Sequence, residues 1–244
     1  ITRKEKPDTQ NFYILHEGLV GVVDETLQEE GYDDIKDKNQ KYQGTSGWFG
    51  ITDKYWLTAI VPQKKQAFNA EFTYDTAYKA NYILTNPTST RPGQTNSNSS
   101  QFFIGAKEVN VIDGYAKSAD INKFDLAIDW GWFYFFTKPL FFIIDYLYKF
   151  SGNFGWAIVL LTAGIRILFF PLANYSFASM AKMKALQPEM ARLKDLHKDD
   201  KQKIQAEMMT LYRKEKINPV SGCLPMLIQI PFFFAIYKML FVTL

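Results

Sequence analysis

Phe154-Gly155-Trp156-Ala157-Ile158-Val159-Leu160-Leu161-Thr162-Ala163-Gly164-Ile165-Arg166-Ile167-Leu168-Phe169-Phe170-Pro171-Leu172-Ala173 is an apolar run with a single formal charge, Arg166. A helix of about 20 such residues crosses the hydrocarbon core of a bilayer. Eleven of these residues are strongly apolar. At roughly −0.3 to −0.6 kcal/mol each they supply about −3 to −7 kcal/mol, against roughly +3 kcal/mol for a central arginine. The run is therefore predicted to insert and to carry its arginine at a cost. Pro171 is expected to end or kink the helix.

A second apolar run, Leu224 to Leu244, reads LPMLIQIPFFFAIYKMLFVTL. Pro231 sits inside it and Gln229 lies two residues earlier. Lys238 stands toward its far end, where a long stem lets the ammonium snorkel to the interface. The 45 residues between the runs, 174–218, read as two amphipathic helices. Phe177, Met180, Met183, Leu186, Met190 and Leu193 recur at steps of three and four. Ile204, Met208, Leu211 and Tyr212 mark one face of the second helix, which Asp199 or Asp200 is placed to cap. Asn218-Pro219 stops this hairpin.

Charge gives the runs a direction. Residues 174–218 hold 10 Lys and Arg against 6 Asp and Glu, whereas residues 1–153 hold 16 against 19. Short loops rich in Lys and Arg stay in the cytoplasm, so the hairpin is expected inside and residues 1–153 outside. A net charge of +3 is a poor basis for nucleic-acid binding, and none is expected. The single cysteine, Cys223, excludes an intrachain disulfide. The two histidines, His16 and His197, are far apart, which excludes a Cys/His metal cluster. No nucleophile–base pair, phosphate loop or zinc-protease motif is present, so neither an enzyme nor a cofactor is expected.

Upstream, residues 1–127 read as β-structure. Short aromatic and β-branched runs at Phe12–Leu15, Gly18–Val23, Trp48–Thr52, Tyr55–Val61, Ala67–Tyr74, Tyr78–Leu84, Gln101–Ile104 and Val109–Ile112 alternate with turn-formers such as Gly31, Gly44, Pro62 and Asp113-Gly114. Many short strands at this spacing predict an all-β sandwich. Asn86–Ser100 is a Ser/Thr/Asn-rich loop. Residues 128–150, IDWGWFYFFTKPLFFIIDYLYKF, are aromatic and amphipathic. A helix lying in the membrane interface fits them, and a core helix of the β-domain is the alternative. Ser151-Gly152-Asn153 breaks that helix. The expected organisation is thus a mixed fold: a β-domain (1–127), an interfacial helix (128–150), a first span (154–173), the cytoplasmic hairpin (174–218) and a second span (219–244).

Arg166 is the sharpest functional signal. An intramembrane arginine faces a partner, a wet cavity or a substrate, unless it snorkels to the nearer surface, seven residues or ~10 Å away. Neither span contains an acid, so the two spans offer it no ion pair. Thr162 lies one turn earlier on the same face, although a hydroxyl there also bonds readily to its own helix. Gln229 offers a donor and an acceptor to the same site, or to an interhelical bond that serves packing alone. The hairpin methionines Met180, Met183, Met190, Met208 and Met209 offer a soft apolar surface, or the packing between the two hairpin helices.

Several of these stretches together resemble one family. Asn218-Pro219-Val220-Ser221-Gly222-Cys223-Leu224-Pro225-Met226-Leu227-Ile228-Gln229-Ile230-Pro231-Phe232-Phe233 and Ile165-Arg166-Ile167-Leu168-Phe169-Phe170-Pro171-Leu172 are similar to the third and second membrane helices of the YidC/Oxa family. Ser179-Met180-Ala181-Lys182-Met183-Lys184-Ala185-Leu186-Gln187-Pro188 and Glu207-Met208-Met209-Thr210-Leu211-Tyr212 resemble its cytoplasmic hairpin. Ser46-Gly47-Trp48-Phe49-Gly50-Ile51-Thr52-Asp53-Lys54-Tyr55-Trp56-Leu57 resembles the periplasmic domain of its Gram-negative members.

The resemblance implies a multi-pass protein of the bacterial inner membrane that inserts and chaperones membrane proteins, alone or with the Sec translocon. The bilayer, nascent membrane proteins and the ribosome are its implied partners. It places Arg166 in a hydrophilic substrate groove, Thr162 beside it, and Phe233 near the sliding path of the substrate. The hairpin, with Met180, Met183, Gln187, Pro188, Met208 and Met209, becomes a recruitment element. The β-region becomes part of a β-supersandwich. Family members have five core spans, so this sequence is expected to continue beyond both of its ends. Two other functions fit the residues alone: a transporter or channel fragment with an anion site at Arg166, and a membrane-anchored carbohydrate-binding domain.

Overall fold

A computed structural model of the chain describes residues 1–9, 15–196, 200–215, 222 and 224–243. It divides into two units, Ile1–Tyr134 together with the chain from Lys238 onward, and Phe135–Tyr237.

The first unit is built on two antiparallel sheets. Its strands are β1 (Thr2–Arg3), β2 (Gly18–Val23), β3 (Thr26–Gly31), β4 (Gln40–Gly44), β5 (Gly47–Thr52), β6 (Trp56–Pro62), β7 (Phe68–Tyr74), β8 (Tyr78–Leu84) and β9 (Ser100–Ala106). One sheet has the order β1-β8-β7-β4 and the other β3-β2-β5-β6-β9. Between them lies a core of Leu19, Phe49 and Ile51 from one sheet and Phe68, Phe72 and Tyr78 from the other. The short helix α1 (Tyr32–Asp37) adds Tyr32 and Ile35. β7 shows the alternation that one buried face demands. All six residues of β2 are buried. The outer face of its sheet is also covered, by α2 (Val109–Ser118) and a 3-10 turn (Phe124–Ala127), whose Phe124 meets Trp48 edge-on at 5.3 Å. That second cover is why Gly18–Val23 reads as a continuous apolar run.

The all-β sandwich expected from sequence is present, with three differences in detail. Val109–Ile112 is the first turn of α2 and not a strand. Val109 and Ile112, three apart, are its buried residues, and the helix runs through Asp113-Gly114, expected as a turn. A mid-helix glycine costs about 1 kcal/mol relative to alanine, which the burial of two branched side chains offsets. β1, β3 and β4 have no counterpart in the sequence reading. All three are edge strands and mostly polar, so none carries an apolar run. The β2–β3 hairpin turns on Asp24 and Glu25, both at positive φ, without the glycine that would have announced it. Within the expected strand Phe12–Leu15, residues 12–14 lie outside the described residues.

The second unit is helical. α3 (Tyr134–Ser151) buries Thr137, Leu140 and Ile144 and exposes Phe135, Phe142, Tyr146 and Phe150. Gly152, at φ +67°, ends it. Asn153 then caps α4 by accepting from the Trp156 amide at 3.3 Å. α4 (Phe154–Ala185) runs for 32 residues, so Pro171 lies inside the helix and does not end it. The hairpin continues with α5 (Gln187–Leu196) and α6 (Lys201–Lys214), the latter capped by Asp200 through the Lys203 amide at 3.0 Å. α7 (Leu224–Thr243) follows, and its last turns belong to the first unit. α4 and α7 are both long and apolar enough to cross a membrane, and only 11% and 17% of their apolar windows are buried within the chain.

Two predictions follow from the first unit. Phe49 is fully buried and packs against Phe68 and Tyr82. Phe49→Ala is expected to cost about 3–5 kcal/mol in denaturant unfolding of the chain in detergent. Lys107 follows β9, and its Nζ is enclosed without a hydrogen-bond partner among the described residues. Burial, only partly offset by attraction to Asp129, Asp53 and Glu17, lowers its pKa to about 8. The unfolded state, with an ordinary lysine, therefore holds the extra proton between pH 8 and 10.5. The resulting destabilisation is complete below about pH 8 and fades as pH rises to 10.5. Lys107→Met is expected to stabilise the chain by about 3 kcal/mol at pH 7 and to lose that advantage by pH 10.5. A pH-independent difference would contradict this.

Candidate functional site

The helical unit contains a cavity of about 780 Å³ between α4 and α7. Along α4 its wall is formed by Arg166, Phe169, Ala173, Ser176 and Met180, and the steps of three and four put them on one helix face. That face continues through Pro171 because the helix does. From α7 come Met226, Gln229 and Phe233, again one face. The cavity is mainly apolar, with two strongly polar side chains, Arg166 and Gln229.

Arg166 makes no hydrogen bond or ion pair to any described residue, and its side chain is exposed. No acid occurs in α4 or α7, so the neighbouring helix cannot neutralise it. An unpaired guanidinium with five donors is a ready partner for a carboxylate or a row of carbonyl oxygens.

Two contacts shape the cavity. Ser176 is buried and donates its hydroxyl to the Gly222 carbonyl at 2.8 Å, tying α4 to the segment just before α7. Phe232 stands between Phe169 of α4 and Phe136 of α3, with ring centroids 5.0 and 5.1 Å away. Sequence reading singled out none of these residues. Ser176 lay on the extension of the Arg166 face, beyond the expected end of the first span at residue 173. Phe232 was one phenylalanine in a run of three.

Of the sequence-derived groove residues, Arg166, Gln229 and Phe233 share this cavity. Thr162 does not line it: its hydroxyl donates to the Ile158 and Val159 carbonyls at 2.6 and 2.9 Å, on an exposed face. Among the hairpin residues Met180 lines the cavity. Met183 and Met208 are half-buried, while Gln187, Pro188 and Met209 are exposed. Tyr212 donates to the sulfur of Met190 at 3.6 Å, which packs α5 on α6. Among the described residues no cluster of three or more metal-binding side chains occurs.

Comparison with known proteins places both units. Residues 1–143 match the YidC periplasmic domain and residues 146–244 match the 60Kd inner membrane protein family. The membrane protein insertase YidC of Pelagibacter ubique is 55% identical over the whole chain, which covers 44% of that relative. Those of Bradyrhizobium diazoefficiens and Rickettsia bellii are 48% and 47% identical over the whole chain, with 42% and 45% of their lengths covered. The chain thus spans less than half the length of these relatives. Its two parts match adjoining parts of one protein, in the same order and end to end, and the chain belongs to the YidC family.

Proposed function

We propose that this chain forms part of a membrane protein insertase, in which the cavity between α4 and α7 is one wall of a groove that receives the polar outer segment of an entering protein. The observation that carries the reading is Arg166, which has no partner among the described residues and shares a cavity with Gln229 between two apolar helices that contain no acid.

The mechanism is electrostatic. A polar or acidic segment crossing hydrocarbon pays several kcal/mol per unsatisfied group. A wet groove that already holds a cation lowers that cost by offering charge-assisted hydrogen bonds in place of water. The apolar helix of the entering protein meanwhile slides along the exposed aromatic and aliphatic surface at Phe233 and leaves sideways into lipid. Nothing is hydrolysed, and partitioning of the apolar helix supplies the drive.

Topology follows the charge bias. The hairpin of α5 and α6 lies in the cytoplasm, and the β-domain lies outside the inner membrane. α3 lies in the outer interface with Phe135, Phe142, Tyr146 and Phe150 toward lipid. The hairpin recruits nascent chains, with ribosomes bound to them, through its exposed methionines, Gln187 and Pro188. The groove also serves as a chaperone for helices released by the Sec translocon.

Charge-assisted hydrogen bonds are worth about 1.5–3 kcal/mol, or roughly 10- to 150-fold. In the intact protein, reconstituted without the translocon, Arg166→Ala is expected to slow insertion of a substrate with an acidic outer segment at least tenfold. Arg166→Lys retains most activity, and a substrate with an uncharged outer segment is slowed less. Insertion of the acidic substrate at the wild-type rate by Arg166→Ala would overturn the groove-charge reading.

A further inference from the structure

The cation of α7 is Lys238, and it is held quite differently from Arg166. Its ammonium lies 2.6 Å from Asp129 Oδ2, and the two side chains are only 14% and 17% exposed. It therefore does not snorkel freely to the interface. Asp129 belongs to the same structural unit, the β-domain, in the segment that leads into α3. Its carboxylate also accepts from the His16 amide at 2.8 Å and the Gly131 amide at 3.0 Å.

The surroundings are shaped for the lysine. Gly131 sits at φ +73°, a backbone conformation that side chains disfavour. A Cβ there would lie 3.1 Å from Lys238 Cε, so the bare glycine lets the lysine stem pass. Met239 and Val242, on the same last turns of α7, are buried. The ammonium of Lys54 lies 4.4 Å from the ring centroid of Phe241. The final helical turns thus make two contacts to the β-domain, the buried ion pair and the Lys54–Phe241 contact.

We infer that Asp129 and Lys238 form an ionic latch that holds the last turns of α7 on the β-domain, within the first unit. The carboxylate is itself fixed by two backbone amides, so fraying or rotation of those turns breaks the pair and leaves an uncompensated charge. Neither residue lines the cavity, and the latch does not rest on the function proposed above.

The test uses the full-length protein in nanodiscs with Lys238→Met, Asp129→Asn, the double variant and Lys238→Arg. Amide hydrogen exchange over Lys238–Thr243 reads the latch. Each uncharged single variant is expected to speed exchange there at least tenfold, with the double no faster than the worse single and Lys238→Arg near wild type. Unchanged exchange, or losses that multiply in the double variant, would overturn the latch. If Lys238→Met does not accumulate while Lys238→Arg does, a charge requirement is supported. Equal failure of both would overturn it, since side-chain shape and not charge would then be what matters. Normal insertion by Arg166→Ala removes the groove reading and leaves the exchange result standing.

Discussion

Within the apolar runs 154–173 and 224–244 stand two cations, Arg166 and Lys238, and neither run contains an acid. Hydrocarbon does not tolerate an unpaired charge cheaply, so each cation has to be satisfied from elsewhere. Lys238 is satisfied by Asp129 of the β-domain. Arg166 has no partner among the described residues and faces a cavity of about 780 Å³. The pair that is closed reads as structure, and the charge that is left open reads as function. Breaking a buried pair from one side leaves an uncompensated charge and costs about 3–5 kcal/mol. An arginine with no partner among the described residues incurs a standing cost of a few kcal/mol that a substrate or water relieves. Selection retains such a cost where the group is used.

The same constraint accounts for the division of labour along the chain. The β-domain builds its core from alternating strands and covers both faces of β2, so it does not depend on lipid for its hydrophobic burial. α4 and α7 leave most of their apolar surface uncovered, and that surface is stable only against acyl chains or other helices. At the end of α7, within the first unit, the Lys238–Asp129 pair is largely shielded, with Gly131 against the lysine stem.

Much of this was legible in the sequence, because period and charge are local properties. Strands β2, β5, β6, β7, β8 and β9 announced themselves through β-branched and aromatic runs, and the Arg166 helix through its length and lone charge. The edge strands β3 and β4 did not, because a strand with one partner and a wet face needs no apolar residues. α2 was misread because Val109 and Ile112 are strand-formers in composition and helix-face residues in spacing. In the cavity, Arg166 and Gln229 were found because polar groups stand out in an apolar run, and Phe233 through the family resemblance alone. Ser176 and Phe232 were not, since their roles depend on helix continuity through Pro171 and on which of three phenylalanines turns inward. The Lys238–Asp129 pair joins residues 109 apart in sequence, and no local pattern carries that information.

The central claim is that Arg166 acts by its charge on an entering segment. Charge exchange in the intact, reconstituted protein tests it most directly. Wild type and Arg166→Glu are compared on two substrates that differ only in whether the outer segment carries aspartates or lysines. If the charge acts on the substrate, the preference inverts, with Arg166→Glu inserting the lysine substrate faster than the aspartate one. If both proteins rank the two substrates alike, the groove does not select by charge and the account fails.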